Sequence, residues 1–187
     1  MPDAAKTLAT YEDLLAVPDH LVAEIIDGEL TTMPRPAIAH AGIASVLGMD
    51  LGTPFQRGRG GPGGWVILDE PELHLRADIL VPDLAAWRIE RFPGADGAFI
   101  TCAPDWVCEV LSPRTQRIDR VRKMPIYARE AVGHMWLIDP IAQTLEVYRR
   151  ADPLWSLVAA FGGDTVARAE PFDAIELDLG SMWPVVG

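Results

Sequence analysis

No stretch of this chain constrains its fold more than Asp105-Trp106-Val107-Cys108-Glu109-Val110-Leu111, which is bracketed by Pro104 and Pro113. Side chains alternate faces along a strand. One face therefore carries Val107, Glu109 and Leu111, and the other Trp106, Cys108 and Val110. Both faces are apolar, which suits a central strand covered on both sides. Helices must then lie on the sheet, and the expected class is α/β. The 187 residues, 49% of them hydrophobic, supply enough material, since a domain of this size buries roughly 70% of its unfolded surface. We expect one domain over residues 1–187.

The flanking segments fit that frame. Thr10 ahead of Tyr11, Glu12 and Asp13 resembles a capping box that opens a short helix ending before Pro18. Leu21 to Ile26, Asp27-Gly28, and Glu29 to Met33 read as a β-hairpin with a type I′ turn. Pro34 and Pro36 end it, and Ala37 to Leu51 suits a helix with an apolar stripe of Ile38, Ile43, Val46, Leu47 and Leu51. Arg57 to Gly64 (RGRGGPGG) reads as a loop. It lacks the Lys-Ser/Thr ending of a phosphate-binding loop. Further strands are expected at Trp65 to Leu68, Glu72 to Leu75, Ile79 to Trp87, Met135 to Ile138, Thr144 to Arg149 and Trp155 to Ala160. Another is expected within Phe172 to Leu179. A helix is expected from Asp119 to Ala131, with Pro125 kinking it near Val121.

Glu109 is an acid among apolar neighbours, and two others repeat the pattern. Asp83 shares its expected face with Ile79, Val81, Ala85 and Trp87, and Glu24 stands between Val22 and Ile26. A buried ionised carboxylate must be protonated, paired or bound to a metal. For any one of them a salt bridge or a position at a strand end is the simpler explanation. Three together favour a shared cation, since Mg²⁺ takes a few carboxylates plus water. Lys123 lies 14 residues beyond Glu109 on the following helix, within reach of the sheet's end. Carboxylates, a metal and a lysine beside the attacking water are the parts of phosphodiester hydrolysis. Asp119 is a third-rank candidate for the site, though capping that helix explains it more simply.

Charge argues in both directions. Sixteen Lys and Arg against 27 Asp and Glu leave −11, which is poor for non-specific binding to a polyanion. Yet Arg114, Arg117, Arg120, Arg122 and Lys123 face only Asp119, a local +4. The two cysteines, Cys102 and Cys108, are too few for a four-thiolate zinc site and read as small apolar residues. No apolar run approaches the ~20 residues of a membrane span. Met1 to Ala9 does not read as a signal peptide, so the expected location is cytoplasmic.

Pro82-Asp83, the run from Pro104 to Pro113, Asp119-x3-Lys123-x3-Tyr127 and Trp136-Leu137-Ile138-Asp139-Pro140 occur in that order. With the hairpin Glu24 to Leu30 and His40, this set resembles the Uma-type family of putative restriction endonucleases, within the PD-(D/E)XK nuclease superfamily. The resemblance runs from about Tyr11 to Arg149. It implies a restriction-endonuclease-like core, a mixed central sheet flanked by helices with an N-terminal β-hairpin, and Mg²⁺-dependent cleavage of DNA, with Mn²⁺ as a substitute. Carried over by position, Asp83 and Glu109 would be metal ligands, Glu24 an accessory acid and Lys123 the catalytic lysine. The lysine that the superfamily carries two residues after the acid is Leu111 here, and Lys123 fits a version in which it has moved to the helix. Arg114, Arg117, Arg120 and Arg122 would contact phosphates, with His40 and Tyr127 as accessory residues. DNA is then the expected partner, and a homodimer is compatible with this reading. Two alternatives stay open: a non-catalytic module that keeps the fold for dimerisation or protein binding, and a metal hydrolase acting on another phosphoester.

Overall fold

The computed structural model describes residues 8–94 and 96–183. Most of the segment judged not to be a signal peptide, Met1 to Thr7, lies outside them. Among the described residues no helix is long and apolar enough to cross a membrane.

Local chemistry sets the first elements. Helix α1 (Tyr11–Leu15) opens with the capping box of Thr10 and Asp13. Strands β1 (Leu21–Ile26) and β2 (Glu29–Pro34) pair antiparallel. Asp27 and Gly28 both take positive φ, 52° and 75°, as a type I′ turn demands. Helix α2 (Ile38–Leu51) buries Ile43, Leu47 and Leu51, while Ile38, expected on that stripe, points to solvent. A π-helical turn, Gly52–Gln56, extends α2 and ends in the glycine-rich loop.

Two sheets follow. The smaller one has the order β2-β1-β5-β4, with β4 Leu73–Leu75 and β5 Asp78–Leu80. The larger has the order β10-β9-β8-β7-β6-β3, formed by β3 (Trp65–Asp69), β6 (Leu84–Arg88), β7 (Trp106–Val110), β8 (His134–Asp139), β9 (Thr144–Ala151) and β10 (Leu154–Gly162). It is mixed, since β7 runs parallel to β8 and antiparallel to β6. The expected strand Ile79 to Trp87 is therefore two strands in different sheets. Pro82 lacks the N–H that a continuing ladder needs, and Val81 to Asp83 form the crossing between them. At the C-terminal end, the expected strand near Phe172 is only β12 (Leu177–Asp178), paired with β11 (Val166–Ala167).

Strand β7 lies inside the larger sheet, as its sequence requires. Trp106, Cys108 and Val110 pack into one core beneath α2, with Trp136 and Phe172. Val107 and Leu111 pack into a second, with Ile26, Leu73, Tyr127 and Leu137. Burying a side chain such as Phe172 contributes roughly 1.5–3 kcal/mol. Cys108 is buried, Cys102 is half-buried, and both are free thiols.

The helix after β7 departs most from expectation. It runs as a short turn α3 (Gln116–Ile118), a π-helical turn Asp119–Lys123, and α4 (Met124–Arg129). Pro125 has no N–H and its ring crowds the carbonyl of Val121. The chain answers by widening rather than kinking: the Met124 N–H donates to the Asp119 carbonyl, five residues back. Asp119 and Lys123 are buried on this π turn.

Candidate active site

Glu24 projects from the middle of β1 and is fully buried. Its Oε1 accepts from the Val81 N–H at 2.7 Å and from Lys123 Nζ at 2.9 Å. Its Oε2 is buried with no partner among the described residues. Glu109 Oε1, on β7, accepts from Lys123 Nζ and from the Tyr127 hydroxyl, each at 2.8 Å. Asp119 Oδ1 stands 3.8 Å from the same ammonium. Two sheets and the π turn thus converge on one lysine.

Asp83 belongs to a second group beside this one. It sits just after Pro82, where the chain crosses between sheets. Its Oδ2 accepts from the Val110 N–H at 2.6 Å, and its Oδ1 lies 2.6 Å from His40 Nε2 on the first turn of α2. Val110 directly follows Glu109, so the two groups are joined through one backbone amide. Asp83, Glu109, Asp119, Lys123 and His40 all line a cavity of about 500 Å³ under the β2–α2 connection. A second cavity, about 750 Å³, runs along α2 and shares Pro36, His40, Glu70 and Asp83 with the first.

The electrostatics follow from crowding. Burial pushes the Glu109 carboxyl well above the usual range. Lys123 opposes that rise, while Asp119, Asp83 and Glu24 add to it. Burial likewise lifts Asp119 to about 6, against the pull of Lys123. For Lys123, burial alone would favour the neutral amine, but Glu109, Glu24, Tyr127 and Asp119 outweigh it and hold the ammonium. The Tyr127 hydroxyl is raised by burial and by Glu109, so it remains a donor. Three carboxylates around one lysine, with Asp83 close by, leave this dry region short of positive charge.

The residues singled out from sequence separate clearly. Glu24, Glu109, Lys123 and Tyr127 touch one another, and Asp83 and His40 form an adjoining pair. Among the described residues, no group of three or more His, Cys, Asp or Glu side chains is spaced to hold a metal. The basic segment does not form one free face. Arg114 lines the first cavity and Arg117 is exposed. Arg120 instead grips Glu146 with two bonds of 2.8 and 2.9 Å. Arg122 reaches the Ile26 carbonyl, Asp27 and Glu29 at the hairpin turn. Sequence reasoning undervalued Asp119, which is buried beside Lys123 rather than capping a helix. It missed Glu70, on the wall between the cavities. Asp119 carried a signal in its i,i+4 spacing to Lys123, whereas Glu70 carried none.

A match to the Uma2 family, described as "Putative restriction endonuclease", spans residues 8–180. The chain belongs to the Uma2 family. A search of the curated proteins gave no match. Among solved structures, a putative nuclease of DUF820 from Anabaena variabilis ATCC 29413 superimposes with a TM-score of 0.77 at 23% identity, covering 93% of this chain and 98% of that one. This likeness establishes the nuclease-like mixed α/β fold. In this Uma2 chain the buried acids and lysine sit where β1, β7 and the π turn meet.

Proposed function

We propose that this protein is a Mg²⁺-dependent DNA endonuclease with the carboxylate–metal–lysine chemistry of the PD-(D/E)XK superfamily. One observation carries the reading: three buried carboxylates, Glu24, Glu109 and Asp119, gather around a single ammonium, with the half-buried Asp83 joined to Glu109 through the Val110 amide and a buried Glu24 oxygen without a partner among the described residues. Such a cluster costs free energy unless a further cation offsets it. The donor set suits Mg²⁺, which favours carboxylate oxygens completed by water. Asp83 and Glu109, both on the cavity wall, would hold it. Bound there, the metal would supply Lewis-acid stabilisation of charge on the phosphoryl oxygens.

The chain's own residues do the rest. Lys123, held as an ammonium, does not serve as a general base at neutral pH. It orients the attacking water and meets the charge that builds on the phosphorane. Tyr127 and Lys123 together fix the rotamer of Glu109 by sharing its Oε1. Glu24 holds Lys123 in place and ties it to the Val81 amide. Arg114 offers a guanidinium to a phosphate entering the cavity.

The same geometry also favours a second reading, a non-catalytic module. Lys123 is already satisfied by Glu24 and Glu109, as in a structural ion cluster. DNA incubated with the protein in Mg²⁺ and in EDTA separates the two. Cleavage that needs Mg²⁺ and disappears in Asp83→Asn supports the endonuclease. Intact DNA, with a melting temperature indifferent to Mg²⁺, supports the module.

A further inference from the structure

In this acidic protein nearly every described arginine is engaged. Arg76, Arg91, Arg120, Arg122, Arg129, Arg149, Arg150 and Arg168 each pair with a carboxylate. Arg35 reaches Glu70 and the Asp19 carbonyl, and Arg88 lies over the Trp65 ring. Among the described residues the arginines without such a partner are Arg57, Arg59, Arg114 and Arg117. They are not scattered. Arg114 lines the first cavity, with Arg117 one turn on, and Arg57 lines the second, with Arg59 two residues on. The wall shared by the two cavities is Pro36, His40, Glu70 and Asp83. Unpaired arginine therefore lines each of the two cavities that meet at this wall.

The two cavities differ in character. The first is lined by Val22, Met33, Pro34, Pro36, Val81 and Val110 around its acids. The second runs past Ser45, Gly48, Thr53 and Gln56 towards Arg57, and Ala41, Ala44, Met49, Ile67, Leu84 and the acid Asp69 line it as well. An apolar recess takes the flat face of a base, and a mixed groove whose hydroxyl and amide groups lead to a guanidinium takes a sugar–phosphate chain. Bases stacked and paired in a duplex cannot enter such a recess unless flipped or frayed.

We infer that the joined cavities are a track for one unpaired DNA strand, which crosses the acid cluster at the His40–Asp83 wall with a base in the apolar recess and phosphates led out to Arg57. This rests on the nuclease reading and narrows its substrate to single-stranded or locally unpaired DNA. The Arg114 end anchors the strand on one side, and Ser45, exposed on α2, lies under its path on the other.

The test is fluorescence anisotropy with a labelled oligodeoxynucleotide of roughly 12 nucleotides and its blunt duplex, with Ca²⁺ replacing Mg²⁺. The single strand should bind at least ~10-fold tighter than the duplex. Arg57→Glu should weaken it by about 10-fold and lower the salt slope by about 1 or more. Ser45→Glu should weaken binding and Ser45→Lys tighten it, a sign reversal that a general disturbance of α2 cannot give. Equal or tighter duplex binding, or indifference to charge at Ser45, overturns the track. Hydrolysis of bis(4-nitrophenyl) phosphate in Mg²⁺ by the unaltered protein reports on the nuclease reading separately. Diester hydrolysis without strand preference removes the track alone, and strand preference without any hydrolysis removes the nuclease reading alone.

Discussion

The two halves of the candidate site are built differently. Around Lys123, ammonium, carboxylates and phenol are buried and already bonded to one another, drawn from β1, β7, the π turn and α4. Around Asp83, an acid and a histidine sit on the wall between two cavities, held by one backbone amide. Charge in the first half is a condition of folding, because each member compensates another away from water. Charge in the second half is available, because its partners can be exchanged without leaving anything stranded. A group can be essential to the site while contributing little to the fold, or contribute heavily to both.

Lys123→Ala breaks the locked half and should have the largest effect. It leaves Glu24, Glu109 and Asp119 buried without their cation, a loss of roughly 3–5 kcal/mol, which in a protein of this size lowers the melting temperature by roughly 6–20 °C. Cleavage of DNA in Mg²⁺ should fall at least ~10²-fold. Lys123→Arg should rescue neither, since a planar guanidinium cannot place one point charge between two carboxylates. Thermal melts and a cleavage assay read both effects. A variant as stable as the parent would show that the cluster is not locked.

The pH dependence of the metal-free protein comes next. Asp119 is raised in the folded state to about 6, and Glu109 shifts in the same direction. A carboxyl raised on folding lends stability that is complete below its unfolded value and lost as pH climbs through the folded one. In EDTA the protein should therefore lose up to ~3 kcal/mol between about pH 4 and 7, and Asp119→Asn should flatten much of that slope. Glu146, lowered chiefly by its bonds from Arg120, acts oppositely, losing its contribution only as pH falls into the acid range. Melts across the interval in EDTA check the sign.

Asp83→Asn probes the open half. An asparagine can still accept from the Val110 N–H and face His40, so stability should move by less than ~1 kcal/mol. Activity should nonetheless drop at least ~10²-fold. In the parent, Mg²⁺ at a hundred times its dissociation constant should add ~2.7 kcal/mol of stability, and the variant should lose that gain. Large destabilisation in Asp83→Asn without metal would erase the distinction between the halves.

The sequence was most legible where a residue violated its own surroundings. Glu109 and Glu24 stood out because strand alternation put an acid on an apolar face, and Asp27-Gly28 marked the hairpin because few residues accept its backbone angles. Asp83 is on the cavity wall for a reason that alternation does not contain: Ile79 to Trp87 is broken at Pro82, and the acid lies in the crossing between two sheets. The reach of Lys123 was hidden because Pro125 suggests a kink, whereas a π turn absorbs the missing donor and turns Asp119 and Lys123 inward. Arg120 and Arg122 looked like neighbours of Arg114 on one basic face. Their partners, Glu146 and the hairpin turn, come from distant segments that local sequence does not connect.

That last difference gives the smallest and most discriminating prediction. Arg120 and Arg114 are six residues apart and equally cationic, but one is tethered across the sheet and the other faces the cavity. Arg120 and Glu146 are each about a third exposed or less, and the Tyr148 hydroxyl also donates to Glu146. Solvent screening limits such a pair to about 1 kcal/mol. Arg120→Ala should therefore lower the melting temperature by a few degrees and leave DNA affinity unchanged at fixed salt. Arg114→Ala should do the reverse, keeping the melting temperature while weakening DNA binding and reducing its salt slope by about 1. Salt titrations of binding beside thermal melts read both variants at once. If Arg120→Ala weakened binding as much as Arg114→Ala with no loss of stability, the tether to Glu146 would be incidental, and the segment from Arg114 to Lys123 would act as a single phosphate-binding face after all.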